Sequence, residues 1–280
     1  MSRGARTIEG VAALVACAFL LAACGPTALA VKPGKKKVET LPNDIDVLVA
    51  FAEAKAFEDS EFPDLSAAAD ALEKAIELAK VRQTTVDPLE LQWRLARVCF
   101  IASELQKGTA DKLVWIARGE KAAEKAIEGL PDRVEGYYYL AVLNGRRAQH
   151  SGIGFSAMAL AKRVEELGLK AVELNAGFEN GAPYRLLALL YMHAPPWPTS
   201  IGDLDKAIEY ADKAVGVADY PMNHLTRGEV LIEADEGVEA RKELKLVLTA
   251  PKSGRWAHEG EIWRPYTRQL LDHIDSGEKP

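Results

Sequence analysis

Small or aliphatic residues spaced four and then three apart recur along this chain, and they constrain its fold more than any other feature. Ala207, Ala211 and Ala214 have this spacing, as do Ala68, Leu72 and Ala75, and Gly119, Ala123 and Ala126. Val164, Gly168 and Ala171 repeat it, and Ala240, Leu244 and Val247 do so with larger side chains. Steps of four and three place residues on one face of a helix, and small side chains on that face let two helices approach closely. After the triplet ending at Ala214, a break at Asp219-Tyr220-Pro221 precedes a second apolar helix. The chain is therefore expected to be all-α, an array of antiparallel helical hairpins. No stretch shows the period-two alternation of a strand. Aromatic residues make up 7% of the chain, as suits packing through small side chains.

Helices are expected throughout residues 44–251, at about 65–80, 87–107, 111–130, 132–149, 156–175, 183–193, 204–217, 223–234 and 237–249. A last helix, at about 256–274, should cap the array. Asp87-Pro88 is a clear start, a capping carboxylate followed by proline in the first turn. Gly168 falls inside a helix and should weaken it by roughly 1 kcal/mol relative to alanine, so close helix–helix approach is the expected reason for it. Residues 44–280 form the repeat domain.

The N-terminus reads as an export signal. Arg3 and Arg6 precede an apolar run from Val11 to Ala23, too short to span a bilayer comfortably. It ends in Leu21-Ala22-Ala23-Cys24, which resembles the bacterial lipobox; the alternatives are an ordinary signal peptide or an uncleaved anchor. The resemblance implies that residues 1–23 are removed and that Cys24 carries two or three acyl chains, enough for stable anchoring. Gly25 in place of Asp implies the outer membrane, so the expected location is the periplasmic face of a bacterial membrane. Loss of Arg3, Arg6 and Glu9 takes the net charge from -6 to -7. Residues 24–43 read as a tether broken by Pro26, Pro33, Gly34 and Pro42, with Lys32, Lys35, Lys36 and Lys37 making it basic. It either serves as a solvated linker or gains about 1 kcal/mol per lysine beside anionic lipid.

Chemistry-bearing motifs are absent. His150, His193, His224, His258 and His273 show no ligand spacing, so no metal site is expected. Gly152-Ile153-Gly154 lacks the preceding strand of a phosphate loop, and no serine sits in a nucleophile elbow. No catalysis and no cofactor are expected. With Cys17 and Cys24 accounted for, only Cys99 remains, in the apolar stretch Val98-Cys99-Phe100-Ile101, where a buried core thiol is the natural reading. The acidic charge, with no basic block in the body, argues against nucleic acid as a partner.

Leu95-Ala96, Leu140-Ala141 and Leu187-Ala188 occupy equivalent places in successive first helices, three residues after Gln92, Tyr137 and Tyr184. With Gly119, Ala123, Ala126, Pro131, Tyr137, Leu140 and Ala141, this spacing resembles the tetratricopeptide repeat, over roughly residues 65–251. The fold this implies is a TPR-like α-solenoid. The triplets end at residues 75, 126, 171, 214 and 247, intervals of 51, 45, 43 and 33, and only the last matches the roughly 34-residue unit. The excess is expected as inserts between the two helices of a hairpin, at residues 108–110, 150–154 and 193–202, all emerging on one edge.

A lipobox, long inserts and the Pro-Trp-Pro loop also resemble a narrower family, the T component of periplasmic TRAP transporters, an α-helical lipoprotein. That resemblance implies a partnership with a periplasmic substrate-binding protein, a small organic-acid ligand and homotrimers. The alternative is a structural or assembly lipoprotein that docks other envelope proteins. The repeat resemblance assigns to the concave groove Trp93, Tyr138 and Arg185, then Arg97, Val142 and Leu189, then Ile101, Arg146 and His193. Aromatic rings with arginines suit a carboxylate; the alternative is core packing with a solvated rim. Trp197, held between Pro196 and Pro198, either meets a partner or folds back to plug its hairpin.

Overall fold

A carboxylate before a helix can satisfy N–H groups that the first turn leaves unpaired, and this chain uses the device repeatedly. The computed structural model describes residues 41–55, 62–82, 84–150, 154–251 and 256–276. Asp44 Oδ1 accepts from Val47 N at 3.0 Å at the start of α1 (Ile45–Lys55). Asp87 Oδ1 accepts from Leu89 N at 2.9 Å ahead of α3 (Pro88–Glu104), with Pro88 in its first turn. Asp203 caps α8 (Leu204–Val217) through Lys206 N at 3.1 Å. Eleven α-helices and no strand are present among the described residues. The signal segment, Cys24 and the tether up to residue 40 lie outside them.

The helices form two compact units. In the unit that ends at Phe178, α1 pairs with α2 (Phe62–Val81), α3 with α4 (Thr109–Gly129), and α5 (Val134–His150) with α6 (Phe155–Asn175). Each second helix also packs on the first helix of the next hairpin, α2 on α3 and α4 on α5, and α3 touches α5. The triplets lie in α2, α4 and α6 and are buried throughout. At Gly119 of α4 an added Cβ would lie 2.9 Å from Cys99 Cβ of α3 and 2.9 Å from Leu143 Cδ1 of α5. Helix α1, with Ile45, Leu48 and Ala52 buried, lies in the expected helical region but has no counterpart among the helices located by sequence.

The unit beginning at Glu179 pairs α7 (Ala182–His193) with α8 and α9 (Pro221–Glu233) with α10 (Gly237–Thr249). Helix α11 (Trp256–Ser276) packs on α9 and α10. The core at that end joins Leu225, Leu244, Val247, Trp263 and Tyr266. The triplets of α8 and α10 are fully buried. The TPR-like all-α array of hairpins with a C-terminal capping helix is thus present.

The extra length of the long repeats is placed differently from the sequence expectation. Helices α3 and α4 have 17 and 21 residues and α5 and α6 the same, whereas α9 and α10 have 13 each. The excess there is extra helix, and only residues 105–108 and 151–154 separate the paired helices. Gly108, read as part of an insert, is the N-cap of α4, and Thr109 and Ala110 are its first turn. Only residues 194–203, between α7 and α8, form a long insert in a hairpin from α3 onward.

One buried carboxylate lies against the capping helix. Glu229 of α9 is 7% exposed; its Oε1 accepts from Tyr266 Oη of α11 at 2.7 Å, and its Oε2 has no hydrogen-bond partner among the described residues. Burial raises its carboxyl from 4.5 to about 7, the Tyr266 hydrogen bond opposing. Between those values the folded protein holds a proton that the unfolded chain has released. The stability from this group is therefore complete below about pH 4.5 and is lost as pH rises to about 7. Glu229→Gln should remove this dependence: between pH 5 and pH 8 the wild type should lose on the order of 2–3 kcal/mol more than the variant in urea unfolding.

Candidate functional site

The residues singled out for a groove fall into both units, and each group has its own geometry. In the first unit, Trp93 is half-buried on α3, its Nε1 donating to Glu90 Oε2 at 2.9 Å. Its ring lies nearly parallel to Tyr139, with centroids 6.3 Å apart, and the Arg94 guanidinium sits 4.6 Å over it. Tyr138 of α5 meets Tyr139 and Phe178 edge-on, at 5.2 and 5.3 Å. These rings make a continuous aromatic ladder. Trp93 and Arg97 also line a cavity of ≈ 320 Å³ with Ala52 and Glu53 of α1, Leu72 of α2, and Arg94 and Val98 of α3.

Two of the predicted groove residues of this unit belong to the interior instead. Ile101 is a core residue. Arg146 of α5 pairs with Glu104 of α3, Nε to Oε1 at 3.0 Å, with both side chains at most 7% exposed. Its guanidinium lies 5.8 Å over the Phe100 ring, and it donates to Gln149 Oε1 at 3.3 Å. Arg146 is thus committed to its own fold. Val142 is half-buried. Cys99 is fully buried, and burial raises its thiol to about 12, which leaves it un-ionised and unreactive.

In the second unit Arg185 is likewise structural. Its Nη1 donates to Asn180 O at 3.0 Å and Asn223 Oδ1 at 2.6 Å, and its Nη2 to Glu179 O at 3.0 Å. These bonds hold Glu179, Asn180 and Gly181, with φ of 45, 57 and 89°, in the left-handed region. Two non-glycine residues there are costly, and the arginine offsets the cost by binding both carbonyls. Leu189 and His193 are half-buried on α7, His193 in its last turn.

Trp197 is not a plug. It is 84% exposed, and the α7–α8 seam is filled by Tyr191 and Tyr210, stacked at 5.6 Å, with Tyr184 at 6.1 Å from Tyr210. The loop that carries it is held by its own backbone. Thr199 N donates to Pro196 O at 3.0 Å, Gly202 N to Pro195 O at 2.9 Å and Asp203 N to Tyr191 O at 3.0 Å. Gly202 is pressed against residue 194, where an added Cβ would lie 1.9 Å from Ala194 O. The tryptophan therefore stands on a fixed support in solvent.

Sequence spacing missed Arg94 and all of α1 as parts of the cavity wall. The pattern Ile45, Leu48, Ala52, spaced three and four, is the signal that could have located α1. Among the described residues no cluster of His, Cys, Asp or Glu is arranged to hold a metal, and no helix is long and apolar enough to cross a membrane.

Comparison with known proteins supports the fold. Residues 60–178, less than half of the chain, match the family model "Regulator of microtubule dynamics protein 1-3". No curated protein matches. A thermophilic TPR protein of Thermus thermophilus, known from its crystal structure, superimposes with a TM-score of 0.57 at 14% identity, covering 81% of this chain and 99% of that one. The likeness is one of fold: a TPR-like helical repeat.

The structural role of Arg146 can be separated from a ligand role. Replacing it with methionine strands the Glu104 carboxylate, and breaking one side of a buried pair costs about 3–5 kcal/mol. Arg146→Met should lose that much stability in chemical denaturation, whereas a solvent-facing groove arginine would lose almost none.

Proposed function

We propose that this chain is a lipid-anchored, non-catalytic docking scaffold on the periplasmic face of a bacterial outer membrane. Its lipid is carried by Cys24, and its partner is the substrate-binding protein of a TRAP-type transporter that captures small organic acids. The TPR-like fold supports a protein partner, and the lipobox-like Leu21-Ala22-Ala23-Cys24 supports the anchor. The observation that carries the docking part is Trp197. An 84% exposed indole on a backbone-bonded loop loses little entropy when a partner covers it, and tryptophan is enriched at binding hot spots. The rest of the loop tip, Pro195, Pro196, Pro198 and Thr199, is also exposed, so a partner surface would meet the ring without displacing packed side chains.

Two variants test this reading. Trp197→Ala should leave the melting temperature nearly unchanged, since the ring fills no cavity, and should weaken capture of the receptor in a pull-down by about tenfold or more. Undiminished capture would remove Trp197 from the interface. Cys24→Ala should release the chain from the membrane fraction after high-salt washing; retention there would refute the lipid anchor.

A further inference from the structure

The cavity among α1, α2 and α3 has a charge pattern with one member left over. Its floor is apolar: Ala52, Leu72 and Val98 are each 1% exposed. Trp93 forms a wall whose orientation is fixed by the hydrogen bond to Glu90 and the parallel Tyr139 ring. Three charged groups line the space: Glu53, Arg94 and Arg97. Glu53 is answered by Arg94, Oε1 to Nε at 3.4 Å, and Arg94 is held further by Glu90 O at 2.8 Å. Arg97 has no hydrogen bond, ion pair or ring contact among the described residues. It is half-buried beside the apolar floor, where a guanidinium has lost part of its hydration and gained no anion in return. Arg146 and Arg185, the other arginines expected in a groove, are satisfied by the fold itself.

We infer that this cavity binds a small monocarboxylate with an apolar body. The carboxylate lies on the Arg97 guanidinium, whose planar fork of donors matches two oxygens, and the hydrocarbon lies on Ala52, Leu72, Val98 and the edge of Trp93. The volume of ≈ 320 Å³ is at the lower end of ligand cavities, which selects a short chain. One unpaired cation selects one negative charge: a second carboxylate would meet apolar side chains, Glu53, or Arg94, whose guanidinium Glu53 and Glu90 already hold, and burying it there is unfavourable. This narrows the organic-acid part of the function proposed above and rests on it, but it needs neither the membrane anchor nor the receptor.

Isothermal titration of the purified full chain in lipid nanodiscs, with sodium hexanoate as probe, tests the inference. Hexanoate should bind saturably with one site per chain, and Arg97→Gln should raise Kd about tenfold or more, the worth of a charge-assisted hydrogen bond. Arg97→Lys should fall between the two, because it keeps the charge and loses the fork. Because Arg97 makes no hydrogen bond, ion pair or ring contact among the described residues, both variants should keep a melting temperature close to the wild type. Hexanol and hexylammonium should show only non-saturable partition into lipid. The inference is overturned by absence of saturable hexanoate binding, by equal binding to Arg97→Gln, by hexanol binding as tightly as hexanoate, or by tighter binding of adipate. It is also overturned if a peptide C-terminus displaces hexanoate at lower concentration than hexanoate's own Kd. If hexanoate fails while Trp197-dependent capture persists, only the ligand assignment falls. If capture fails while hexanoate binds, only the docking assignment falls.

Discussion

Between α3, α4 and α5 there is no room for even one more methyl group at Gly119: it would stand 2.9 Å from side-chain carbons of both neighbouring helices. The small residues of the other triplets are buried as well. Ala68, Ala75, Ala123, Ala126, Ala171, Ala207, Ala211, Ala214 and Ala240 are almost wholly buried. Dispersion attraction falls steeply with separation, so helices meeting through small side chains gain contacts along much of their length. The remaining volume is filled by single large residues such as Leu72, Leu143 and Leu187. A core of this kind tolerates little change in volume, and it sets the helix axes within which the side chains of the cavity and the loop are displayed.

Small-residue seams alone do not define where each helix stops or which partner it takes. Buried polar groups do that here. Asn223 is fully buried, with Nδ2 2.7 Å from Ala214 O, 2.9 Å from Ala218 O and 3.0 Å from Asn180 O, so one side chain closes the end of α8 and holds the turn before α7. Glu104 and Arg146 lock α3 to α5. Glu229 and Tyr266 lock α9 to α11. Arg264 reaches from α11 to the carbonyls of Ala250 and Pro251, the latter at 2.8 Å. A mismatched register would leave such groups buried and unpaired, at about 1–3 kcal/mol each. Exposed pairs such as Lys80–Glu77 and Arg163–Glu166 contribute far less.

These polar commitments decide which residues are left for binding. Arg146, Arg185 and Arg97 are each assigned to the groove by the repeat pattern, at three different positions of it, yet of the three only Arg97 emerges without a partner among the described residues, because no carboxylate or carbonyl of a neighbouring element reaches it. Trp197 is exposed for an analogous reason: Tyr184, Tyr191 and Tyr210 already fill the seam into which it could have folded.

By itself the sequence determined the helical hairpins, their number from α3 onward, and several boundaries to the residue, as at 204–217 and 237–249. Those features rest on interactions within a few residues: caps such as Asp87 and Asp203, glycine and proline breaks, and the three-and-four spacing that defines a helix face. Tertiary structure decided whether the excess residues between triplets became loop or helix: Thr109 and Ala110 form the first turn of α4, a helix that packs along its length on α3 and α5. It alone decided that Arg146 faces Glu104, 42 positions away in the chain, and that Arg185 faces the turn at Glu179 and Asn180. Repeat position says which face of a helix a side chain occupies. Whether an opposite charge waits on the facing helix depends on residues far away in the chain, which local spacing does not encode.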